Sequence, residues 1–167
     1  MAVYGRFMDT GRARRGAALL LAVAAITATA GCGGGSSGSN GTSVFRVKPG
    51  ECFLPPSKVQ AELTSLKRVS CTSGHTQEAY AVVAYTGTGS GFTGEYPGDT
   101  VLKTYADGVC AQKFSSYVGV DYQDSSLFFT YLLPSARGWQ QSHDRNIVCF
   151  VTTTGAVLHK SVKGTKT

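Results

Sequence analysis

The sequence predicts an α+β fold: an antiparallel sheet with one main helix packed on a face, held by two disulfides. Short apolar runs separated by glycine, proline and other turn residues predict strands. One stretch, residues 101–118, instead repeats apolar residues at the three- and four-residue spacing of an amphipathic helix. The order is strands, helix, strands, which differs from the regular alternation of strands and helices that a parallel sheet requires.

The first 31 residues have the organisation of an export signal. Four arginines precede an apolar run over residues 16–28, which is shorter than the roughly 20 residues of a membrane-spanning helix. The run ends in Thr29-Ala30-Gly31-Cys32, which resembles the lipobox of bacterial lipoproteins. The resemblance implies cleavage before Cys32 and a lipid on its sulfur, with palmitate among the acyl chains. The alternative is an ordinary cleaved signal peptide that leaves Cys32 as a thiol.

The rest of the chain divides into a spacer and one domain. Residues 32–43 are rich in glycine and serine and lack an apolar period, which predicts a flexible tether. Residues 44–167 have the length of one domain with its own core. We therefore expect a lipid-anchored protein on the extracytoplasmic face of the cell membrane.

The segments before the helix predict a series of strands. Residues 44–47 form a first apolar run that ends at Pro49-Gly50. Two short candidates follow, at residues 52–54 and 66–71. The run at residues 78–85 is almost wholly apolar and predicts a buried strand.

A glycine-rich loop over residues 86–98 leads into the predicted helix. Asp99 or Thr100 can cap its start, and Gly119 predicts its end. Its apolar stripe consists of Val101, Leu102, Tyr105, Val109, Cys110, Phe114, Tyr117 and Val118. Three strands are predicted after the helix, at residues 127–133, 146–153 and 156–162, the last two as a hairpin around Thr154-Gly155.

Lipidation of Cys32 would leave an even set of cysteines: Cys52, Cys71, Cys110 and Cys149. In an oxidising compartment such a set predicts two disulfides, although four cysteines allow three connectivities. We favour Cys52–Cys71, because both lie on candidate neighbouring strands, and Cys110–Cys149, which would join the helix to a core strand. The alternative of four thiolates on zinc lacks any C-x-x-C spacing, so we expect no metal and no cofactor.

The charge of the chain does not indicate a nucleic-acid partner. The net charge is +6, but half of it belongs to the leader, and the twelve basic residues that remain are scattered among nine acidic ones. Two glycine motifs also lack the context that their chemistry needs. The G-x-S-x-G match at residues 34–38 lies in the tether, and the G-x-G-x-x-G match at residues 89–94 does not open directly into a helix.

Two clusters of residues carry a family resemblance. The first contains Pro49-Gly50-Glu51-Cys52-Phe53 and then Val69, Cys71, His75 and Glu78; the second contains Trp139, Asp144, Arg145 and Cys149. This layout resembles the septum formation domain of exported actinobacterial proteins, although Gly74-His75 stands where that family often has Pro-His. The resemblance covers residues 47–163. It implies an extracytoplasmic α+β domain with two disulfides and a link to septation, and it supplies no catalytic residues.

The same residues can be interpreted as architecture or as a binding cluster. A lone tryptophan buries a large apolar area, and Arg145 can donate to a carboxylate, with Glu78 and His75 as candidate partners, or to carbonyls at strand ends. We expect His75, Glu78, Trp139, Asp144 and Arg145 to act mainly in structure.

These observations predict a non-catalytic domain that binds a protein or a cell-envelope component. One alternative is a cell-wall enzyme, which would need paired carboxylates or a metal in a cleft. The other is a small-molecule-binding lipoprotein whose pocket is lined by tyrosines such as Tyr80, Tyr85 and Tyr96.

Overall fold

A computed structural model describes residues 41–58, 62–87 and 94–167. The strands are β1 (Gly41–Ser43), β2 (Cys52–Leu54), β3 (Ser65–Val69), β4 (Gln77–Ala84), β5 (Phe128–Leu132) and β6 (Asn146–Thr152). The helices are α1 (Asp99–Val118) and α2 (Ala136–Gln141). The strands form one antiparallel sheet in the order β1-β3-β2-β4-β6-β5, so the predicted fold class is confirmed.

The middle of the sheet is buried on both faces. In β6, Ile147, Cys149 and Val151 belong to the core beneath α1, whereas Val148 and Phe150 belong to a second core on the opposite face. This alternation is the two-residue period of a strand. A bulge in the neighbouring β4 leaves Tyr80 between partners of β6, so Tyr80 and Ala81 both join the core beneath α1.

Helix α1 packs with every fourth residue against the sheet. Its fully buried positions are Leu102, Ala106, Cys110, Phe114 and Val118. The predicted stop is confirmed, because Gly119 adopts the left-handed conformation at φ 95° and its N–H donates to the carbonyl of Ser115. The predicted cap is wrong: Gly98 stands at the N-cap, and Asp99 lies in the first turn, where a negative charge favours the helix dipole.

The start of the folded region differs from the prediction. Residues 44–47 are not a strand, because Val44–Arg46 form a single 3₁₀ turn. This turn carries Val47 onto the face opposite α1, where Val47 is buried in the second core. The strand precedes the turn, since Gly41–Ser43 pair with Lys67–Ser65 and thus extend the sheet into the last residues of the predicted tether.

The end of the chain also differs. The predicted strand at residues 156–162 is wrong, because only Leu158 forms a bridge, to His75, and the segment does not return along β6. Helix α2 was missed. Its six residues contain Gly138, and glycine weakens a helical pattern, although Ser135 accepts a capping hydrogen bond from the Gly138 N–H.

Both favoured disulfides are confirmed. Cys52–Cys71 joins β2 to the turn after β3, and Cys110–Cys149 joins α1 to β6. No helix of the described residues has the length and apolar character needed to cross a membrane. The leader, Cys32 with its tether up to residue 40, and residues 89–93 of the glycine motif lie outside the described residues.

Candidate functional site

A buried polar centre lies beneath α1 and is formed by His75, Glu78, Tyr117 and Ser161. Glu78 projects from β4 and is fully buried. One carboxylate oxygen accepts hydrogen bonds from the hydroxyls of Tyr117 and Ser161, each at 2.5 Å, and the other accepts the backbone N–H of Val162 at 2.9 Å. Burying a carboxylate without hydrogen-bond partners strongly destabilises a folded protein. The three donors offset this desolvation cost for Glu78.

His75 is also fully buried, and its two ring nitrogens differ in their surroundings. Nδ1 lies 2.9 Å from the carbonyl of Ser73, and because a carbonyl only accepts, Nδ1 carries the proton of that bond. Nε2 lies 3.9 Å from the Glu78 carboxylate and has no hydrogen-bond partner among the described residues. The backbone of His75 exchanges two hydrogen bonds with Leu158, at 3.0 and 2.8 Å. The polar centre therefore fastens the end of the chain through both a side chain and a backbone bridge.

The polar centre has an incomplete set of metal ligands. The Sγ of Cys52 and ligand atoms of His75 and Glu78 lie within 4.8 Å of one another. The Cys52 sulfur is held in the disulfide with Cys71 and offers no thiolate. Two donors remain, which is fewer than the four ligands of a structural zinc.

Two tyrosine hydroxyls act as fixed donors beneath α1: the half-buried Tyr117 donates to Glu78, and the buried Tyr80 donates to the backbone of α1. Burial, followed by the hydrogen bond to Glu78, raises the pKa of Tyr117 above its ordinary value of 10. Burial likewise raises the pKa of Tyr80, whose hydroxyl donates to the carbonyl of Cys110 at 2.7 Å. Both phenols therefore stay protonated across the physiological range and serve as donors in the fold.

A second cluster, the tryptophan corner, consists of Trp139, Asp144 and Arg145 with Gly94 and Tyr96. Trp139 on α2 is 2% exposed, and the guanidinium carbon of Arg145 lies 3.7 Å from its ring centroid, a cation–π contact. Arg145 Nη1 donates to the carbonyls of Trp139 and Asp144, at 2.8 and 2.9 Å. The Trp139 indole N–H donates to the carbonyl of Gly94 at 2.8 Å, and Arg145 Nη2 approaches the same oxygen at 3.4 Å.

Local backbone geometry holds the tryptophan corner together. A Cβ on Gly138 would lie 3.2 Å from the Ser135 hydroxyl oxygen and 3.7 Å from the Asp144 Cβ, so a larger residue would crowd the cap of α2. Asp144 accepts the N–H of Asn146 and so forms the turn into β6. The rings of Tyr85 and Tyr96 pack against the indole.

The five predicted residues thus form two sites. His75 and Glu78 lie at the start of β4, whereas Arg145 bonds through its carbonyl to Tyr85, directly after the end of the same strand. Seven residues of strand span about 23 Å. Of the two alternatives for Arg145, pairing with Glu78 or His75 is therefore wrong, and donation to carbonyls is confirmed.

Sequence reasoning missed the partners of Glu78. Tyr117 appeared only as a member of the apolar stripe, although a buried tyrosine usually finds a partner for its hydroxyl. Ser161 had no distinguishing signal. It lies in a segment of mixed polarity, 83 positions after Glu78.

A groove of about 810 Å³ lies beside the end of the chain. It is lined by residues 126–127 and by much of the segment 153–167, which contributes hydroxyl groups, His159 and Lys160. Leu127 and Val162 are buried at its base, whereas Val157 is 53% exposed. Tyr80, Tyr85 and Tyr96 do not line this groove, so the tyrosine-lined pocket is not found there.

Comparison with known proteins identifies one family. A family model described as septum formation matches residues 49–166, which contain every residue of the polar centre and of the tryptophan corner. No curated protein and no solved structure matches the chain.

Proposed function

This chain belongs to the septum formation family, and from that membership we propose that it is a non-catalytic extracytoplasmic binding domain. In this proposal a lipid on Cys32 anchors it to the cell membrane, and its domain binds a protein or a cell-envelope component during division.

The observation that carries the proposal is where the family motif residues lie and which bonds they make. His75 and Glu78 are fully buried, and Glu78 accepts three hydrogen bonds from within the domain. Cys52, Cys71 and Cys149 are disulfide-bonded. A general acid, base or nucleophile has to reach its substrate, and these groups face the interior. The motif therefore supports a scaffold whose surface does the binding.

The groove beside the end of the chain is the best-suited binding surface. Its base is apolar, its rim carries hydroxyl groups and Lys160, and the exposed Val157 adds apolar area. Interfaces commonly combine an apolar centre with a polar rim in this way. The volume of the groove also falls within the roughly 300–1,000 Å³ of ligand pockets. This favours small-molecule binding as the second candidate function.

The partner-binding part is tested by photocrosslinking in intact, dividing cells. A photoreactive residue replaces Val157, and a matched variant carries it at the exposed Lys67 on β3. We expect an adduct from position 157 only, together with enrichment of the protein at the division site. Equal labelling from both positions would reject the groove as the binding surface. A mass increase of small-molecule size would favour the second candidate.

The anchoring part rests on the lipobox-like residues 29–32 and is tested separately. Two acyl chains give stable membrane attachment, which a single chain does not. We expect Cys32→Ala to lose incorporation of a palmitate analogue and to leave the membrane fraction, while the tether variant Ser36→Ala keeps both. Membrane retention of Cys32→Ala at the level of the unchanged protein would contradict lipid anchoring.

A further inference from the structure

Strand β5 is an open edge of the sheet. Among the described residues, it pairs on one side with β6 and has no strand on the other side, and no turn or loop hydrogen bond reaches its backbone there. An edge strand presents unpaired N–H and C=O groups that can pair with another chain.

The composition of β5 leaves this edge unprotected. Its sequence, Phe-Phe-Thr-Tyr-Leu, contains no charged residue and no proline, the two devices that commonly block edge pairing. Phe128 is 51% exposed although it opens a strand of the sheet. The opposite edge, β1, has three residues and passes directly into a 3₁₀ turn, so it offers less backbone for pairing.

We infer that β5 pairs antiparallel with β5 of a second copy of this chain, which joins the two sheets across a two-fold axis at Thr130. Antiparallel pairing about a two-fold axis is self-complementary, because each contact occurs twice. In the register centred on Thr130, Phe128 lies opposite Leu132 of the other copy, and Phe129 lies opposite Tyr131. All five residues of the strand are then paired.

The two faces of β5 favour this register. Phe129 and Tyr131 lie on the α1 face, where Phe129 packs on Tyr122 and the Tyr131 hydroxyl bonds Asp107. Leu132 packs against the core of the opposite face. The register places aromatic side chains across from each other on the α1 face. On the other face it covers the exposed Phe128 with an apolar neighbour. Such cross-strand pairs stabilise sheets, and the uncharged strand brings no like charges together.

The partner is thus the chain itself, which goes beyond the envelope partner of the proposed function. The pairing does not depend on lipidation, although an anchor would raise the local concentration of the copies. The test therefore uses the exported chain, purified from whichever cell fraction holds it. Because each crosslink is identified by the two positions it joins, the test can be interpreted even if the anchoring proposal fails and Cys32 is a thiol.

The test is disulfide crosslinking with introduced cysteines. In the proposed register the two Thr130→Cys residues face each other with Cβ atoms about 4.5–5.5 Å apart, so mild oxidation should give a dimer linked through position 130 of both copies. Phe128→Cys alone should not crosslink, because its two copies are separated by about 14 Å along the strands. Combined with Leu132→Cys, it should give a crosslink between position 128 of one chain and position 132 of the other. The control Lys67→Cys, on an inner strand, should stay monomeric.

A second variant tests the association without a crosslink. Thr130→Lys places two like charges on the two-fold axis and should weaken dimerisation at least about tenfold in sedimentation experiments. Thr64→Lys adds the same charge at an exposed position away from β5 and should leave the dimer unchanged. Peptide mapping of the two native disulfides checks that each variant is folded.

Three results would overturn the inference. The first is a folded Thr130→Cys chain that gives no more dimer than Lys67→Cys up to about 1 mM, a concentration at which even weak pairs associate. The second is a crosslink between the two copies of Phe128→Cys, which indicates parallel pairing or a different antiparallel register. The third is a crosslink from position 130 to a different protein, which would make β5 a docking edge for a foreign strand.

Discussion

The polar centre and the tryptophan corner lie at opposite ends of β4 and accommodate a charged side chain in different ways. Each contains a charged group that is at least partly removed from water: Glu78 is fully buried, and Arg145 is half-buried. In the polar centre, Glu78 is compensated by donors 39 and more than 80 positions away along the chain. In the tryptophan corner, Arg145 is compensated mainly by Trp139 and Asp144, six residues and one residue before it.

The difference separates two kinds of stabilisation. The tryptophan corner is mostly local, and most of its energy should come from the apolar area of the indole. The polar centre is non-local and ties helix α1 and the end of the chain to the sheet through one carboxylate. Damage to the tryptophan corner should therefore lower global stability. Damage to the polar centre should also release the terminal segment.

Replacing Trp139 with alanine should have the largest effect. The loss of a buried aromatic side chain costs about 3–5 kcal/mol of unfolding free energy. Equilibrium denaturation measures the loss, and Phe45→Ala, at an exposed aromatic residue, should change stability little. Unchanged stability combined with lost partner binding would make Trp139 an interface hot spot and contradict its structural role.

Replacing Glu78 with glutamine should lower the unfolding free energy by about 1.5–3 kcal/mol, the contribution of hydrogen bonds to a charged group. The amide keeps one acceptor and places an NH₂ group against the donors. Hydrogen exchange should show faster exchange at the Val162 amide, because that N–H donates to Glu78. Glu95→Gln, at an exposed acid, is the matched control. Protection of Val162 equal to that of the unchanged chain would refute the non-local tie.

Arg145→Ala should lower the unfolding free energy by about 1–3 kcal/mol, because carbonyls of the tryptophan corner lose their donor. Arg145→Lys should recover only part of the loss, since a lysine lacks the planar group that stacks on Trp139 while donating to two carbonyls. The neighbouring exposed His143→Ala is the control in the same denaturation experiment. Full recovery by lysine would show that charge alone matters here.

The smallest predicted effect is a loss of stability at alkaline pH, to which one tyrosine of each region contributes. Burial, then the contact with Asp99, raises the pKa of Tyr96 to about 12, and burial with the bond to Glu78 raises the pKa of Tyr117. The unfolded chain then loses these protons from about pH 10, while the folded chain keeps them. Their contribution is fully present below pH 10 and is lost as pH rises through the folded pKa.

Denaturation midpoints between pH 9 and pH 12 should therefore fall, and Tyr117→Phe and Tyr96→Phe should each make the fall shallower. A double variant should be shallower still, because the two tyrosines belong to different clusters. Identical pH slopes in all four proteins would contradict the assignment.

Several features of the fold followed from local sequence signals. The helix with its apolar stripe over residues 101–118 and the buried strand at residues 78–85 each have a continuous apolar pattern, and the structure contains both within two residues of the predicted bounds. The helix also ends at the predicted Gly119. The disulfides followed because neighbouring strands and a helix over a core strand bring those cysteines together. The errors at residues 44–47 and 156–162 occurred where a strand-like pattern lacks a strand partner. In the first segment, Val44–Arg46 form a tight 3₁₀ turn instead. In the second, the backbone N–H of Val162 donates to the carboxylate of Glu78.

The sequence by itself determined the fold class, the main helix, the even set of four cysteines and the family motif, because each depends on residue type and short-range spacing. Only the tertiary structure decided that the motif divides into a polar centre and a tryptophan corner. It also decided that Glu78 bonds Tyr117 and Ser161, and that β5 forms an edge of the sheet. The physical reason is that burial of a charge and the pairing of an edge depend on which distant segments meet, and strand order is not encoded in any local period.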